Sequence, residues 1–126
     1  MVERTLNILT VDDEVSVACS IRFALSDPHR AFTSAGDGAE AISKIEGGPP
    51  PFDIVITDNN MPRVNGLELV RRLRQANFAG KIIVLSAHLT DEIESAYEAL
   101  HVDKMLPKPF NVSELRQVVA ELAHAA

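Results

Sequence analysis

The feature that most limits the fold is an alternation of short apolar segments with helical patterns along the chain. Five runs rich in apolar and β-branched residues cover 6–11, 31–35, 52–57, 81–85 and 103–106. Near-continuous apolar runs of this length suit strands that are covered on both faces. Apolar residues at helical spacing follow each run, as in Leu115, Val118, Val119 and Leu122. This alternation predicts a five-stranded parallel sheet with right-handed crossovers in a three-layer α/β sandwich.

Length and charge narrow the class of protein. The chain has 126 residues, so we expect one domain over 1–126. Its formal net charge of -6 disfavours direct binding to nucleic acid. No apolar stretch has the length of a membrane span, and Cys19 is the only cysteine. These features predict a cytoplasmic domain that does not bind membranes, with Cys19 packed as a small apolar residue on the first helix.

Several local signals mark helix ends and faces. Asn111 followed by Glu114 predicts a capped start for the last helix, and "GGPPP" at 47–51 predicts the end of the second. Tyr97 falls on the apolar stripe of the fourth helix, which indicates core packing. The arginines of "RRLR" at 71–74 are expected on the solvated face of the third helix.

Polar side chains follow four of the predicted strands, where parallel sheets bind ligands. These residues are Asp12, Asp13, Asp58, Ser86 and Lys108. A single aspartate at a strand end is commonly a turn residue or a helix cap, and "VDDE" at 11–14 alone is also explained as the N-cap of the first helix. Caps do not explain all five polar groups on one edge.

Three carboxylates at one edge repel one another unless a cation lies among them. The available ligands are oxygens, which favours Mg²⁺, with Mn²⁺ as the alternative, over zinc. Lys108 and the Ser86 hydroxyl are donors suited to phosphoryl oxygens. The sequence therefore predicts a magnesium and phosphate site.

The motifs together resemble the receiver domain of two-component response regulators. They are the acidic pair Asp12 and Asp13, the "D..MP...G" stretch from Asp58 through Met61, Pro62 and Gly66, "AGDGAEA" at 35–41, Ser86 with Ala87, and "KPF" at 108–110. The resemblance covers the whole chain. It implies a flavodoxin-like fold with strand order 2-1-3-4-5.

The resemblance also implies the roles of the site residues. Asp58 would accept a phosphoryl group from a phosphohistidine. Asp13, Asp58 and the main-chain carbonyl of Asn60 would bind Mg²⁺, with Asp12 acting through a bound water. Lys108 and Ser86 would contact the phosphoryl oxygens, and the peptide between Lys108 and Pro109 would be cis.

The implied partners are a histidine kinase or phosphotransfer protein, and an output domain or target protein. The target would bind the face formed by the fourth helix, fifth strand and fifth helix, and a homodimer would use the same face. The domain would catalyse only its own phosphorylation and dephosphorylation. Asn60 and His88 would tune the hydrolysis rate, although an exposed loop histidine is the plainer interpretation of His88.

The sequence departs from the family pattern at several positions, of which Val64 and Asn65 are interpreted as tolerated loop variation. Met105 occupies the place where receivers usually carry a tyrosine or phenylalanine. We still expect Ser86 to move on phosphorylation. Because methionine is flexible, we expect only modest coupling between the phosphoryl group and the partner face. His101 stands where glycine usually ends the fourth helix. A non-glycine residue in a left-handed conformation costs about 1 kcal/mol, so we expect this helix end to be loose or differently shaped.

Three other functions fit the sequence less well. A phosphorylation-independent, receiver-like binding module would not need all five site residues. A haloacid-dehalogenase-like phosphatase would carry a second aspartate two residues after the nucleophile, where Asn60 lies. A flavodoxin-like cofactor protein would need a phosphate-cradling loop after the first strand, where "DDEVS" at 12–16 would repel phosphate.

Overall fold

A computed structural model describes residues 5–47, 51–61 and 64–125, without the side chains of 124 and 125. The strands are β1 (Leu6–Val11), β2 (Arg30–Ala35), β3 (Ile54–Asp58), β4 (Lys81–Ser86) and β5 (Lys104–Pro107). The helices are α1 (Val15–Leu25), α2 (Gly38–Glu46), α3 (Gly66–Gln75), α4 (Asp91–Glu98) and α5 (Val112–Ala125). Strand and helix alternate as predicted, with strand ends within two residues of the apolar runs.

The five strands form one parallel sheet in the order β2-β1-β3-β4-β5. This confirms the expected three-layer architecture and the order 2-1-3-4-5. The central strands β1 and β3 are almost entirely buried, which explains their near-continuous apolar sequences. None of the helices in the described part of the chain combines the length and hydropathy of a membrane span.

The core is divided into two clusters by the sheet. One cluster joins the sheet to α1 and α5 and includes Ile8, Ile56, Leu85, Ile21, Leu25, Leu115 and Val119. The other joins it to α2, α3 and α4 and includes Leu9, Val55, Val84, Ala41, Leu69, Val70 and Tyr97. Successive residues of β3 enter opposite clusters because side chains alternate across a strand. Each helix thus buries its apolar stripe against one face of the sheet.

Side chains cap the starts of four helices. Asn111 accepts the backbone N–H of Glu114 at 2.9 Å, as expected. Asp37, Asn65 and Thr90 accept the corresponding N–H groups of α2, α3 and α4. Helix α2 ends at Glu46 with Gly47 as its C-cap, as "GGPPP" at 47–51 predicted, whereas Gly48, Pro49 and Pro50 of that segment lie outside the described residues.

The end of α4 has the left-handed turn that glycine would normally supply. His101 has φ 57°, so the expectation of a differently shaped helix end is wrong. The guanidinium of Arg74 donates to the carbonyls of Leu100 and His101 at 2.8 and 2.7 Å. A cation at a helix C-terminus is favourable, and these two bonds hold the turn in place.

Arg74 and Cys19 lie in surroundings that differ from those expected from the sequence. Arg71 and Arg72 are exposed and pair with Glu68, but Arg74 binds the end of α4 instead of lying on a solvated face. Cys19 is exposed, so it is not the packing residue that we expected. The apolar stripe of α1 is carried by Ile21, Ala24 and Leu25.

Candidate functional site

The strand register brings the predicted site residues to one edge of the sheet. Val11 pairs with Thr57, so Asp12 and Asp58 follow at the same level on neighbouring strands. Asp58 in turn pairs with Leu85, which places Ser86 one residue further along β4. Ser86 pairs with Pro107, and Lys108 comes next. The site is therefore a consequence of parallel pairing in this register.

Lys108 links two of the carboxylates. Its Nζ lies 2.8 Å from Asp12 Oδ2 and 3.2 Å from Asp58 Oδ1. The peptide between Lys108 and Pro109 is cis, as the resemblance implied. Asp12 also uses its other oxygen to accept the N–H of Glu14 at 2.8 Å, just before α1. Asp12 therefore acts as a turn residue before α1 and is also part of the group of polar residues at the sheet edge.

The environment of Asp58 opposes its ionisation. Burial is the largest cause and raises the pKa of Asp58 above its ordinary value, and the charge of Asp12 adds to this. The charge and hydrogen bond of Lys108 and the backbone N–H of Asn60 act in the opposite direction. Burial by itself would lower the pKa of Lys108, but its bonds and charge interactions with Asp12 and Asp58 outweigh that effect and raise it. Lys108 therefore remains a cation beside the carboxylates.

The three aspartates form a cluster suited to a hard cation. Asp12, Asp13 and Asp58 each offer a carboxylate oxygen, and these oxygens lie within 4.8 Å of one another. Asp12 and Asp58 are buried, whereas Asp13 is exposed. A cleft of about 350 Å³ opens beside them, lined by Asp13, Glu14, Asp58, Asn59, Asn60, Ser86, Ala87, His88, Ile93 and Lys108. The carboxylate of Asp58 therefore lies at the wall of an open cleft.

The backbone at Gly66 lies directly against the backbone of Asp58 and Asn59. A Cβ atom at this position would lie 2.4 Å from the carbonyl oxygen of Asp58 and 2.9 Å from Cα of Asn59. The N–H of Gly66 donates to the carbonyl of Asn59 at 3.1 Å. Met61 of the same motif is buried in the cluster with α3 and α4, and Pro62 lies outside the described residues. The glycine allows α3 to start against the site.

The Ser86 hydroxyl has local partners in this structure. Ser86 is buried, and its Oγ accepts the N–H of His88 and donates to the carbonyl of His88, both at 3.2 Å. The His88 side chain is exposed, as the plainer interpretation expected. Ser86 therefore lies at the cleft with its hydroxyl engaged by the loop after β4.

Met105 is half-buried on β5 and packs against the cluster that contains Tyr97. Met105 pairs with Val84 of β4, and Val84 lies two residues before Ser86. Met105 therefore contributes to the packing between the sheet and α4.

Sequence reasoning missed the contact between Tyr97 and Asn59. Tyr97 is buried, as expected, but its hydroxyl donates to Asn59 Oδ1. The available signal was a tyrosine on a buried stripe, because a buried tyrosine hydroxyl usually finds a hydrogen-bond partner. The identity of that partner depended on the packing of α4 over the end of β3.

Comparisons with known proteins agree with this geometry. Residues 8–120 match the family model described as the response regulator receiver domain. The response regulator MprA of Mycobacterium sp. (strain KMS) is 38% identical over 112 residues, which are 87% of this chain and 47% of that protein. The chain thus spans about half the length of the curated relatives that it matches.

Solved structures show the same fold. The chemotaxis protein CheY4 of Vibrio cholerae superposes with a TM-score of 0.84 at 28% identity, covering 94% of this chain and 98% of that one. The N-terminal domain of an uncharacterized protein from Wolinella succinogenes gives a TM-score of 0.85 at 30% identity, with 96% of each chain covered. With the family match over most of its length, the chain belongs to the response regulator receiver domain family.

Proposed function

We propose that residues 1–126 act as one receiver domain that takes a phosphoryl group from a phosphohistidine onto Asp58 in a Mg²⁺-dependent reaction. The donor would be a histidine kinase or phosphotransfer protein, and the domain would work in the cytoplasm with it. The observation that carries this proposal is the bridge of Lys108 between Asp12 and Asp58, beside the third carboxylate of Asp13.

The reaction needs a nucleophile in a fixed position. An Asp58 carboxylate oxygen would attack phosphorus, the bond from phosphorus to the imidazole nitrogen would break, and the imidazole would leave with the bonding electrons. The product is an aspartyl phosphate. Lys108 and the N–H of Asn60 hold the Asp58 carboxylate before the donor arrives. Phosphoryl transfer depends mainly on such positioning and on charge neutralisation.

The Ser86 hydroxyl would exchange its local partners for a phosphoryl oxygen. Its present bonds to His88 are long at 3.2 Å, and a bond to a charged oxygen is stronger than a neutral one. The loop after β4 would move towards the site as this exchange occurs. Lys108, which pairs with Asp12 and Asp58, would contact the phosphoryl oxygens as a point charge.

The carboxylate cluster fits a Mg²⁺ ion, with Mn²⁺ as the alternative. Asp13, Asp58 and the carbonyl of Asn60 would hold the ion, and Asp12 would act through a bound water. All these ligands are oxygens, as a hard cation requires. When bound, the ion would neutralise charge on the phosphoryl oxygens. The carboxylates would then repel one another less than in the metal-free protein.

The aspartyl phosphate would change affinity for an output domain or target protein at the face formed by α4, β5 and α5. A homodimer through this face is the alternative arrangement. Water would later hydrolyse the aspartyl phosphate, with Asn60 and His88 at the cleft tuning the rate. The domain would thereby catalyse its own phosphorylation and dephosphorylation.

Intact mass spectrometry after incubation with phosphoramidate tests the acceptor. We expect one added phosphoryl group with Mg²⁺, and none with EDTA or in Asp58→Asn. The matched control is Asp53→Asn, which makes the same change at the opposite end of β3 and should leave labelling intact. Labelling of Asp58→Asn would show that the acceptor is a different residue.

The second candidate is a receiver-like module that binds its partner without phosphorylation. It would be supported if the wild-type protein takes up no phosphoryl group at any Mg²⁺ concentration. The presence of Asp13, Asp58, Ser86 and Lys108 at one cleft, with Asp12 paired to Lys108, argues against it.

A further inference from the structure

Tyr97 connects α4 to the residue beside Asp58. It is the only tyrosine in the chain, and 1% of its surface is exposed. Its ring packs among the residues between the sheet and α3, while its hydroxyl donates to Asn59 Oδ1. Asn59 directly follows Asp58 and directly precedes Asn60. One side-chain hydrogen bond therefore joins a helix of the proposed partner face to the segment 58–60.

Asn59 makes hydrogen bonds to three different elements of the fold. Its N–H donates to the carbonyl of Leu85 in β4 at 2.9 Å, and its carbonyl accepts the N–H of Gly66 at the start of α3 at 3.1 Å. The bond from Tyr97 adds α4 to these two contacts. The first two are backbone bonds and persist with any side chain at 59. The third depends entirely on the side chains of Asn59 and Tyr97.

The hydroxyl of Tyr97 has little space for another position. A Cβ atom at Gly66 would lie only 2.7 Å from it. Burial, and secondly the charge of Asp58, raises the pKa of Tyr97 above its ordinary value, so the hydroxyl keeps its proton at neutral pH. It is therefore a permanent donor in a closely packed position.

On the basis of the proposed phosphoacceptor role of Asp58, we propose that Tyr97 is a positioning residue. Its hydroxyl, through the Asn59 side chain, holds the segment 58–60 for phosphoryl uptake and makes α4 respond to what occupies the site. This connection differs from the one through Ser86 and Met105 because it starts at the end of β3 and enters α4 directly.

Two consequences follow from this connection. Without the hydroxyl, the segment 58–60 loses its only described side-chain bond to α4, so Asp58 and the carbonyl of Asn60 are less well positioned. Any displacement of this segment by a phosphoryl group or its analogue would also reach α4 less fully.

The substitution Tyr97→Phe tests the hydroxyl because it retains the buried ring. We expect phosphoryl uptake from phosphoramidate to slow by about threefold to tenfold, the factor that corresponds to one neutral hydrogen bond. Asn59→Ala should slow it to a similar extent. The double variant should be no slower than either single variant, because both remove the same bond.

A second measurement separates positioning from simple stability. Hydrogen exchange in α4 should change when beryllium fluoride and Mg²⁺ bind to the wild type, and this change should be smaller in Tyr97→Phe. The matched control is Ile82→Val, in the same core cluster but at the start of β4. It should lower the thermal midpoint while leaving both uptake and the response of α4 unchanged.

Each outcome has a distinct meaning. Uptake at the wild-type rate with an unchanged response of α4 in Tyr97→Phe would overturn the inference while leaving Asp58 as the acceptor. Strictly multiplicative losses in the double variant would also overturn it. Slower uptake in Ile82→Val would show that a loss of stability alone slows uptake, and this would overturn a positioning role for Tyr97. A wild-type protein that takes up no phosphoryl group would instead refute the proposed function itself.

Discussion

Aspartates lie at both ends of the same sheet, in opposite surroundings. At the amino ends of the strands, Asp53 accepts the backbone N–H of Asn7 at 2.7 Å and donates its own N–H to the carbonyl of Asn7 at 2.8 Å. Asp103 makes the same pair of bonds with Ile82, at 2.8 and 2.9 Å. Asp53 precedes β3, and Asp103 precedes β5. Their carboxylates add a hydrogen bond where β3 begins to pair with β1 and where β5 begins to pair with β4.

At the carboxyl ends, the carboxylates face one another. Asp12, Asp13 and Asp58 lie together, and Lys108 pairs with two of them. The carboxylates at the amino ends accept backbone N–H groups and stabilise the fold, whereas the clustered carboxylates repel one another and favour the binding of a cation in addition to Lys108. The same residue type is therefore structural at one edge of the sheet and suited to chemistry at the other.

The largest expected effect on stability is at the amino edge. Asp103→Ala should lower the free energy of unfolding by about 2 kcal/mol, because a hydrogen bond to a charged group contributes roughly 1.5–3 kcal/mol. The N–H of Ile82, a fully buried residue, would lose its side-chain acceptor. Urea denaturation measures this change.

Two further variants sharpen that result. Asp103→Asn retains an oxygen acceptor and should lose less stability than Asp103→Ala. Asp53→Ala should cost about 1 kcal/mol, because Asn7 is only half-buried and water can replace the lost partner. A loss below about 0.5 kcal/mol in Asp103→Ala, in the range of an ordinary surface substitution, would contradict a structural role for this edge.

A stabilising change is expected in the turn that leads into β5. His101 has φ 57° and an exposed side chain, so His101→Gly should raise the free energy of unfolding by about 0.5–1 kcal/mol. Asn77 has φ 58° after α3 and is the matched control, because asparagine tolerates this conformation. Asn77→Gly should change stability by only a few tenths of a kcal/mol. Thermal or urea denaturation that shows His101→Gly to be destabilising would mean that the imidazole makes a favourable contact.

The contribution of Asp58 to stability is expected to depend on pH. Folding raises the pKa of Asp58, mainly by burial, above its ordinary value of 3.8. The folded protein therefore holds a proton there at pH values where the unfolded chain has lost it. The free energy of unfolding should fall as the pH rises from 3.8 through the folded-state pKa.

Asp58→Asn removes this contribution. In EDTA, the stability of the variant relative to the wild type should increase as the pH rises through that interval. Urea denaturation at a series of pH values measures the difference. A difference that shrinks with rising pH would mean that Lys108 outweighs burial and the charge of Asp12.

The smallest expected effect on stability is at Asp13. It is exposed, and the two ion pairs of Lys108 go to Asp12 and Asp58. Asp13→Asn should leave the free energy of unfolding in EDTA unchanged, or raise it by less than about 0.5 kcal/mol, because repulsion decreases. The same variant should bind Mg²⁺ more weakly, which calorimetry with and without the ion measures. A large loss of stability in EDTA would place Asp13 with the structural aspartates.

Much of the fold followed from local patterns in the sequence. Strand β1 has the bounds of its apolar run, and Asn111 caps α5 as its spacing with Glu114 indicated. The meeting of Asp12, Asp58 and Lys108 also followed, because the carboxyl ends of parallel strands share one edge. Strand order, by contrast, came from the resemblance to receivers and not from the periodicity of the apolar residues.

Local patterns in the sequence account for the type of each element, its place along the chain and its inward face, because these depend on residues a few positions apart. The contacts between distant groups arise from the packing of the elements. Tyr97 reaches Asn59 across 38 positions, and Arg74 reaches the end of α4 across 26 and 27. The exposure of Cys19 was likewise decided by how α1 packs on the sheet. Such contacts depend on the angles and distances between packed elements, and no local spacing in the sequence encodes them.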